Sequence, residues 1–270
     1  MTHKLLAAVA LWIGLALPAA AQTALSSLQT GDEARGWEAV GRLDIAGKGF
    51  CTGALIAPDL VLTAAHCLYD RATGERVDPS RIQFQAGLRN GRAEAYRDVR
   101  RAVTPEGYSY SPQSTPERTR ADVALLELSQ PIRLSQITPF DTAASLDTGA
   151  DIGVVSYAFD RADAPSLQEL CGVLGQADGV LVLACDVDFG SSGAPIFMIE
   201  NGTARIVSVV SAKAEMDGQQ VALGASLDGP LAELQAALAA DQSRLQNETA
   251  TVRVIGSGQR ADTGAKFVRP

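Results

Sequence analysis

The stretch that decides the fold is residues 50–67, which read FCTGALIAPDLVLTAAHC. Two short apolar runs of β type flank a turn at residues 57–59, and the second run ends at His66. The sequence holds two histidines, His3 and His66. Since imidazole is the side chain that most readily acts as a base near neutral pH, His66 is the candidate base of a reactive site.

Two later motifs supply partners for this base. Asp122 opens the run DVALL, and Ser192 lies in GSSGAP at residues 190–195. The order His66, Asp122, Ser192 is typical of a nucleophilic triad, in which histidine takes the serine proton and aspartate orients the imidazole. An α/β-hydrolase would instead need glycine at position 194, where this chain has Ala194, and would order its triad Ser, Asp, His.

The amino terminus has the features of a secretory signal. Lys4 precedes an apolar run at residues 5–17, and an Ala-x-Ala site ends at Ala21. We therefore expect residues 1–21 to be removed and the protein to be secreted or periplasmic. The formal net charge of −8 argues against nucleic acid and against anionic membranes as partners. We expect a monomer that does not bind a membrane once the signal is removed.

The cysteines form two pairs that are close in sequence, Cys51 with Cys67 and Cys171 with Cys185. An even number of cysteines in an exported protein predicts disulfides. A Cys51–Cys67 bridge would close a loop of about 15 residues, which the chain-entropy model values at about 3 kcal/mol. Zinc is the alternative use of these cysteines, but the chain has no C-x-x-C pair. We expect no metal and no cofactor.

Short β-type runs bounded by Gly, Pro, Asp and Asn dominate the chain, and this spacing favours an all-β sandwich or barrel. Pro230 begins the one clear helix, in which leucines recur near helical spacing as far as Leu245. The predicted strands are Ala39–Ile45, Phe50–Ile56, Ile82–Ala86, Val123–Leu128, Ile152–Tyr157, Val180–Cys185, Ala194–Ile199, Ile206–Ser211 and Val221–Leu227.

Taken together, the three motifs resemble the trypsin/chymotrypsin-like serine proteases, especially their secreted bacterial branch. The resemblance covers about residues 37–245 and includes the separation of 16 residues between Cys51 and Cys67. It implies a chymotrypsin-like fold, all-β, with two antiparallel six-stranded Greek-key β-barrels and a C-terminal α-helix. It also implies a serine endopeptidase that hydrolyses proteins or peptides through an acyl-enzyme.

With that fold, the chain divides into five parts. A signal peptide (1–21) is followed by an N-terminal extension (22–35), a first barrel that carries His66 and Asp122 (36–135), a second barrel that carries Ser192 with the C-terminal helix (136–245), and a flexible tail (246–270).

The resemblance also assigns roles around the nucleophile. The backbone N–H groups of Gly190 and Ser192 would form the oxyanion hole, where one donor is worth about 3 kcal/mol of barrier. Ser211 would hydrogen-bond Asp122. The animal digestive members carry an aspartate where this chain has Ser191, and they pair it with a new amino terminus. We therefore expect that signal removal suffices for activation, with a cut after Arg35 as the alternative.

Substrate preference stays open. Asp186 lies six residues before Ser192, where trypsin-like enzymes keep the carboxylate that binds substrate Arg or Lys. Lys213, two residues after Ser211, would instead favour acidic residues, as in the glutamyl endopeptidases. A third alternative is a protease-like binding protein without turnover, because fold and motifs alone do not establish activity.

Overall fold

The computed structural model of the chain describes residues 23–144, 146 and 151–249. The predicted signal peptide and the predicted tail beyond residue 249 lie outside the described residues. Strands make up most of the regular structure, and one long helix follows them. The predicted all-β class with a C-terminal helix is confirmed.

The structure begins with a two-residue strand and a closed antiparallel barrel. The barrel joins six strands in the order β2-β3-β4-β7-β6-β5. In β5 the buried side chains alternate with half-buried ones, as the period of two in a strand requires. The strands are β1 (Ser26–Ser27), β2 (Val40–Ile45), β3 (Gly49–Ala57), β4 (Leu60–Thr63), β5 (Ile82–Ala86), β6 (Ala95–Val103) and β7 (Ala124–Leu128).

A second antiparallel sheet follows the barrel. Its order is β1-β9-β8-β12-β13-β14-β11-β10, so it has eight strands where six were expected. One of the additional strands is β1, from the segment predicted as an N-terminal extension. The other strands are β8 (Asp151–Ala158), β9 (Arg161–Cys171), β10 (Val173–Ala177), β11 (Val180–Leu183), β12 (Pro195–Glu200), β13 (Thr203–Met216) and β14 (Gln219–Ser226).

The N-terminal strand is tied to the second sheet by backbone and core contacts. Ser26 is in register with Leu167 of β9, and the Leu28 amide donates to the Pro165 carbonyl at 2.9 Å. The Leu28 side chain is buried. This anchoring explains why a segment with little strand character in its sequence is ordered.

Apolar side chains join the two sheets into one body. One buried cluster combines Leu62 of the first barrel with Val155 and Phe197 of the second sheet. Fully burying a side chain of this size contributes about 1.5–3 kcal/mol. The seam between the sheets is therefore held by the hydrophobic effect, and side chains from both can be fixed at its surface.

Two helices complete the fold. The short helix α1 (Pro116–Arg120) precedes β7, and α2 (Pro230–Thr249) follows the last strand. Leu234 and Leu238 bury one face of α2 in the cluster between the sheets. The helix ends at Thr249, past residue 246, where the tail was predicted to begin. Within the described residues, no helix combines the length and apolar character that a membrane crossing needs.

Both predicted disulfides are present. Cys51 is bonded to Cys67 with 6.2 Å between the Cα atoms, and Cys171 to Cys185 with 5.0 Å. The first connects β3 to the turn after β4, and the second connects the end of β9 to the segment after β11. The first disulfide therefore lies next to His66 in the sequence, and the second lies in the segment that precedes Ser192.

Candidate active site

His66 lies in a short 3-10 helix, Ala65–Leu68, that follows β4. The disulfide at the neighbouring Cys67 ties this turn to β3. The His66 side chain is buried on most of its surface. The position of the ring is therefore set by the backbone of one strand and by a covalent cross-link.

Asp122 lies between α1 and β7 and is completely buried. It accepts hydrogen bonds from His66 Nδ1 at 2.7 Å and from the His66 backbone N–H at 2.8 Å. The Ser211 hydroxyl donates to the carboxylate, and the Tyr108 hydroxyl donates at 3.2 Å. Burying an unpaired carboxylate would be very costly, so these donors are what allow Asp122 to sit there ionised.

The electrostatics of Asp122 follow from these contacts. Burial by itself would raise the pKa of the Asp122 carboxyl. The charge of His66 and the hydrogen bonds from His66 and Ser211 outweigh burial and hold that pKa below its usual value. The guanidinium of Arg118 is also close, with Nη2 3.9 Å from Asp122 Oδ2. The carboxylate is therefore an anion that orients the imidazole through Nδ1 and leaves Nε2 as the acceptor.

Ser192 lines the same cleft as His66, a cavity of about 540 Å³. Ser191, the neighbouring hydroxyl, is buried, and its Oγ lies 3.1 Å from Ser156 Oγ beneath the turn. Of these two serines, only Ser192 lines that cleft. The structure thus brings His66, Asp122 and Ser192 to one place on the molecule.

The turn before Ser192 depends on glycine. Gly190 has a φ of +101°, and a Cβ there would lie 2.3 Å from the Phe50 ring. The N–H groups of Ser191 and Gly193 donate to backbone carbonyls. In the described part of the chain, the N–H groups of Gly190 and Ser192 have no such acceptor. These two N–H groups lie on the turn that carries Ser192, and both remain available as donors to a ligand beside it.

Two of the predicted substrate-binding residues line the cleft. Ser211 and Lys213 are both in β13, and Lys213 Nζ lies 3.7 Å from Asp188 Oδ1. Asp186 is not in that cleft. It is exposed and lines a separate cavity of about 450 Å³ together with residues 23–25 and Lys213. The expectation that Asp186 forms the base of the substrate pocket is not supported by this placement.

Three side chains at the site were missed by the sequence analysis: Arg71, Tyr108 and Arg118. Arg71 and Arg118 line the cleft, and Tyr108 bonds to Asp122. Residues 104–121 are polar and were interpreted as a surface loop. The signal that could have located Arg118 is local, because Thr115 caps α1 and Pro116 occupies its first turn.

One cluster of potential metal ligands lies at the site. Side-chain atoms of Cys51, His66 and Cys67 lie within 4.8 Å of one another. The two sulfurs are bonded to each other, and a metal ligand must be a thiolate. This group of residues therefore does not suit a metal ion.

Comparison with known proteins matches this architecture. The Trypsin family model matches residues 29–228. A Glu endopeptidase solved in complex with MPD has a TM-score of 0.64 at 18% identity, covering 80% of this chain and 96% of that one. A thermostable serine protease from an extremophilic microorganism has a TM-score of 0.55 at 19% identity, covering 70% and 91%. At these identities the two structures establish the fold.

Curated relatives match over shorter segments. Glutamyl endopeptidase of Bacillus licheniformis is 29% identical over 153 residues, which is 55% of this chain and 45% of the relative. Modular serine protease of Drosophila melanogaster is 39% identical over 93 residues, 32% of this chain and 14% of the relative. The matches thus span less than half the length of these relatives. Since the family model covers most of the sequence and the fold agrees with it, this chain belongs to the trypsin family of serine proteases.

Proposed function

We propose that the chain is a serine endopeptidase in which Ser192 is the nucleophile, His66 the general base and Asp122 the group that orients His66. The observation that carries this proposal is the 2.7 Å contact between His66 Nδ1 and Asp122 Oδ2, with Ser192 in the same cleft. An ionised Asp122 accepts the Nδ1 proton in this contact, which favours the histidine tautomer whose Nε2 is unprotonated and can act as a base.

The reaction would run in two halves. His66 Nε2 takes the Ser192 proton as Oγ attacks the substrate carbonyl, and the N–H groups of Gly190 and Ser192 stabilise the oxyanion. His66 then protonates the leaving amine, which departs and leaves an acyl-enzyme. Water, deprotonated by His66, attacks the acyl group and restores the Ser192 hydroxyl.

For specificity, we propose cleavage after acidic residues. The cleft is lined by the cations Arg71, Arg118 and Lys213 and by one carboxylate outside the triad, Asp188. The chain as a whole has a formal net charge of −8, so this local excess of cations is opposite in sign to the rest of the protein. A cationic cleft attracts anionic substrates and stabilises a bound carboxylate.

Two further observations support acidic specificity. Asp186, the candidate partner for substrate Arg or Lys, lies outside the cleft. Glutamyl endopeptidase is among the relatives, and a Glu endopeptidase is among the solved structures with this fold.

We further propose that the protein acts outside the cytoplasm after removal of residues 1–21. Two disulfides support an oxidising compartment, where such bonds persist.

The test is digestion of a mixed peptide library, read by mass spectrometry, with Ser192→Ala as the control. We expect cuts after Glu or Asp that vanish in the control. Cuts after Arg or Lys would overturn the acidic specificity but keep the triad. If no peptide is cut and a fluorophosphonate does not label Ser192, the chain is a protease-like binding protein.

The contribution of Lys213 is tested by a conservative pair of variants. Lys213→Gln removes the charge and is expected to lower kcat/KM for a Glu substrate by about tenfold or more, because a charge-assisted bond is lost. Lys213→Arg should keep most of the activity. A peptide with glutamine in place of glutamate, assayed in parallel, should respond little to either substitution.

A further inference from the structure

A second cavity adjoins the triad. It has a volume of about 590 Å³ and shares His66, Arg71 and Phe189 with the cleft. Neither Ser211 nor Lys213 lines it. It therefore opens from the triad on the side away from β13.

The walls of this cavity are mainly apolar. Phe50 and the Cys51–Cys67 disulfide form one wall. The two opposite charges at its edge, Lys48 and Asp70, pair with each other at 2.6 Å. These two charges satisfy each other, and the guanidinium of Arg71 lies over the Phe189 ring, 5.4 Å from its centroid. The chemistry that the cavity offers to a ligand is therefore mainly apolar contact.

Two aromatic side chains at this cavity, Phe159 and Phe189, are exposed to an unusual degree, and we call them the aromatic rim. Their exposed fractions are 81% and 67%, the highest among the large hydrophobic residues in the described part of the chain. The Phe159 amide donates to the Phe189 carbonyl at 2.7 Å, so the two backbones are fixed relative to each other. Exposed aromatic side chains that share one cavity offer a large apolar area, and exposed apolar patches of this kind mark binding sites.

The position of the cavity identifies its occupant. If the acyl part of a peptide lies along Ser211 and Lys213, the part that leaves with the amine must extend past His66 in the other direction. His66 lines both cavities, so the scissile bond would lie at their junction. A peptide chain continuous with the substrate in the cleft is therefore the occupant that fits.

We propose that the aromatic rim binds a bulky apolar side chain within the first two residues after the scissile bond. The protein would then select its substrates on both sides of that bond: an acidic residue before it and a large apolar residue after it. This inference rests on the proposed function, because it assumes that a peptide is cleaved at Ser192.

The experiment uses internally quenched peptides that are identical except at the first or second residue after a Glu cleavage site, where phenylalanine replaces alanine. We expect the kcat/KM ratio of the phenylalanine to the alanine peptide to be about tenfold at one of these positions. In Phe159→Ala the ratio should fall towards one. In Phe159→Tyr it should persist, which keeps the test valid if the alanine variant folds poorly.

Leu174→Ala is the matched control, because Leu174 is 46% exposed and lines neither cavity. It should leave the ratio unchanged. A ratio near one in the unmodified protein, or a ratio that survives Phe159→Ala, would overturn the inference.

A Glu-ending anilide substrate, which has no residue after the scissile bond, separates the two proposals. If it is cleaved with dependence on Ser192 while the ratio stays near one, the proposed function stands and the aromatic rim has no such role. If neither the anilide nor any peptide is cleaved, both proposals fail together.

Discussion

At the residue scale, the site depends on the hydrogen bonds that stabilise the buried carboxylate of Asp122. Its carboxylate has no contact with water, and its hydrogen bonds come from His66, Ser211 and Tyr108. Each donor belongs to a different part of the chain. The carboxylate therefore fixes the imidazole and also gathers the segments that form the cleft.

We expect Asp122→Asn to lower kcat by about 10⁴-fold while the fold persists, because an amide in this place favours the wrong histidine tautomer. Steady-state kinetics on the peptide substrate at neutral pH would measure this effect. Tyr108→Phe serves as a comparison, since it removes only the longest of the hydrogen bonds to Asp122. If Asp122→Asn retained most of the activity, Asp122 would not orient the base.

The same carboxylate makes stability depend on pH. Its folded-state pKa lies below the ordinary value of 3.8, so its ionised form stabilises the folded state above that pH. This contribution is lost as the pH falls from about 3.8 through the folded-state pKa. Urea unfolding should show Asp122→Asn to be less stable by about 1–3 kcal/mol at pH 7. The difference should shrink in acid, and a constant difference down to pH 2 would contradict the assignment.

Residue types and their order sufficed to predict that His66, Asp122 and Ser192 lie at one site, but not the course of the substrate pocket. His66, Asp122 and Ser192 stand in motifs with fixed spacing, and the structure places them together. The expectation for Asp186 rested on spacing from Ser192 alone. The direction of the Asp186 side chain depends on the path of the chain between β11 and Ser192. No local sequence pattern predicts that path.

At the element scale, several strands with a buried face were predicted, whereas β6 and β9 were missed. The predicted run at residues 82–86 coincides with β5, which buries alternate side chains. Strand β6 was missed because most of its side chains are exposed or half-buried, so its sequence carries little apolar periodicity. It is held by its pairing with β5 and β7, which sequence cannot reveal.

The disulfide between Cys51 and Cys67 holds the turn that carries His66 against β3. Replacing Cys51 and Cys67 together with serine should lower the free energy of unfolding by about 3 kcal/mol. Activity should fall as well, since the turn that carries the base is released. Calorimetry and kinetics on the double variant measure the two effects. The matched change at Cys171 and Cys185 should cost similar stability but less activity, because Cys185 lies seven residues before Ser192, whereas Cys67 is adjacent to His66.

At the scale of the whole molecule, polar contacts bridge the two sheets as well as apolar ones. The hydroxyl of Tyr157 in β8 donates to the Leu88 carbonyl, just beyond β5, at 2.9 Å. The Thr52 hydroxyl in β3 donates to the Gly190 carbonyl at 2.9 Å. The turn that carries Ser192 is thus fixed from the first barrel, which explains how a cleft between two sheets keeps its geometry.

Tyr157→Phe tests the bridge. The substitution keeps the ring and leaves the Leu88 carbonyl without its partner, so we expect a loss of about 1–3 kcal/mol in urea unfolding. Tyr96→Phe is the control, because Tyr96 is 43% exposed and water can replace its contact. Equal effects of the two substitutions would show that the bridge adds nothing to stability.

The pairing of β1 with β9 has a consequence for how the chain folds. Ser26 of β1 pairs with Leu167 of β9. The first strand in the sequence can therefore pair only after more than half of the chain has been synthesised. The first barrel uses strands between residues 40 and 128 and has no such delay. Because contacts between distant residues slow folding, we expect the barrel to form early and the amino-terminal edge late. Pulse-labelled hydrogen exchange would reveal this order as a folding intermediate in which the backbone amides of the barrel are protected and those of β1 are not.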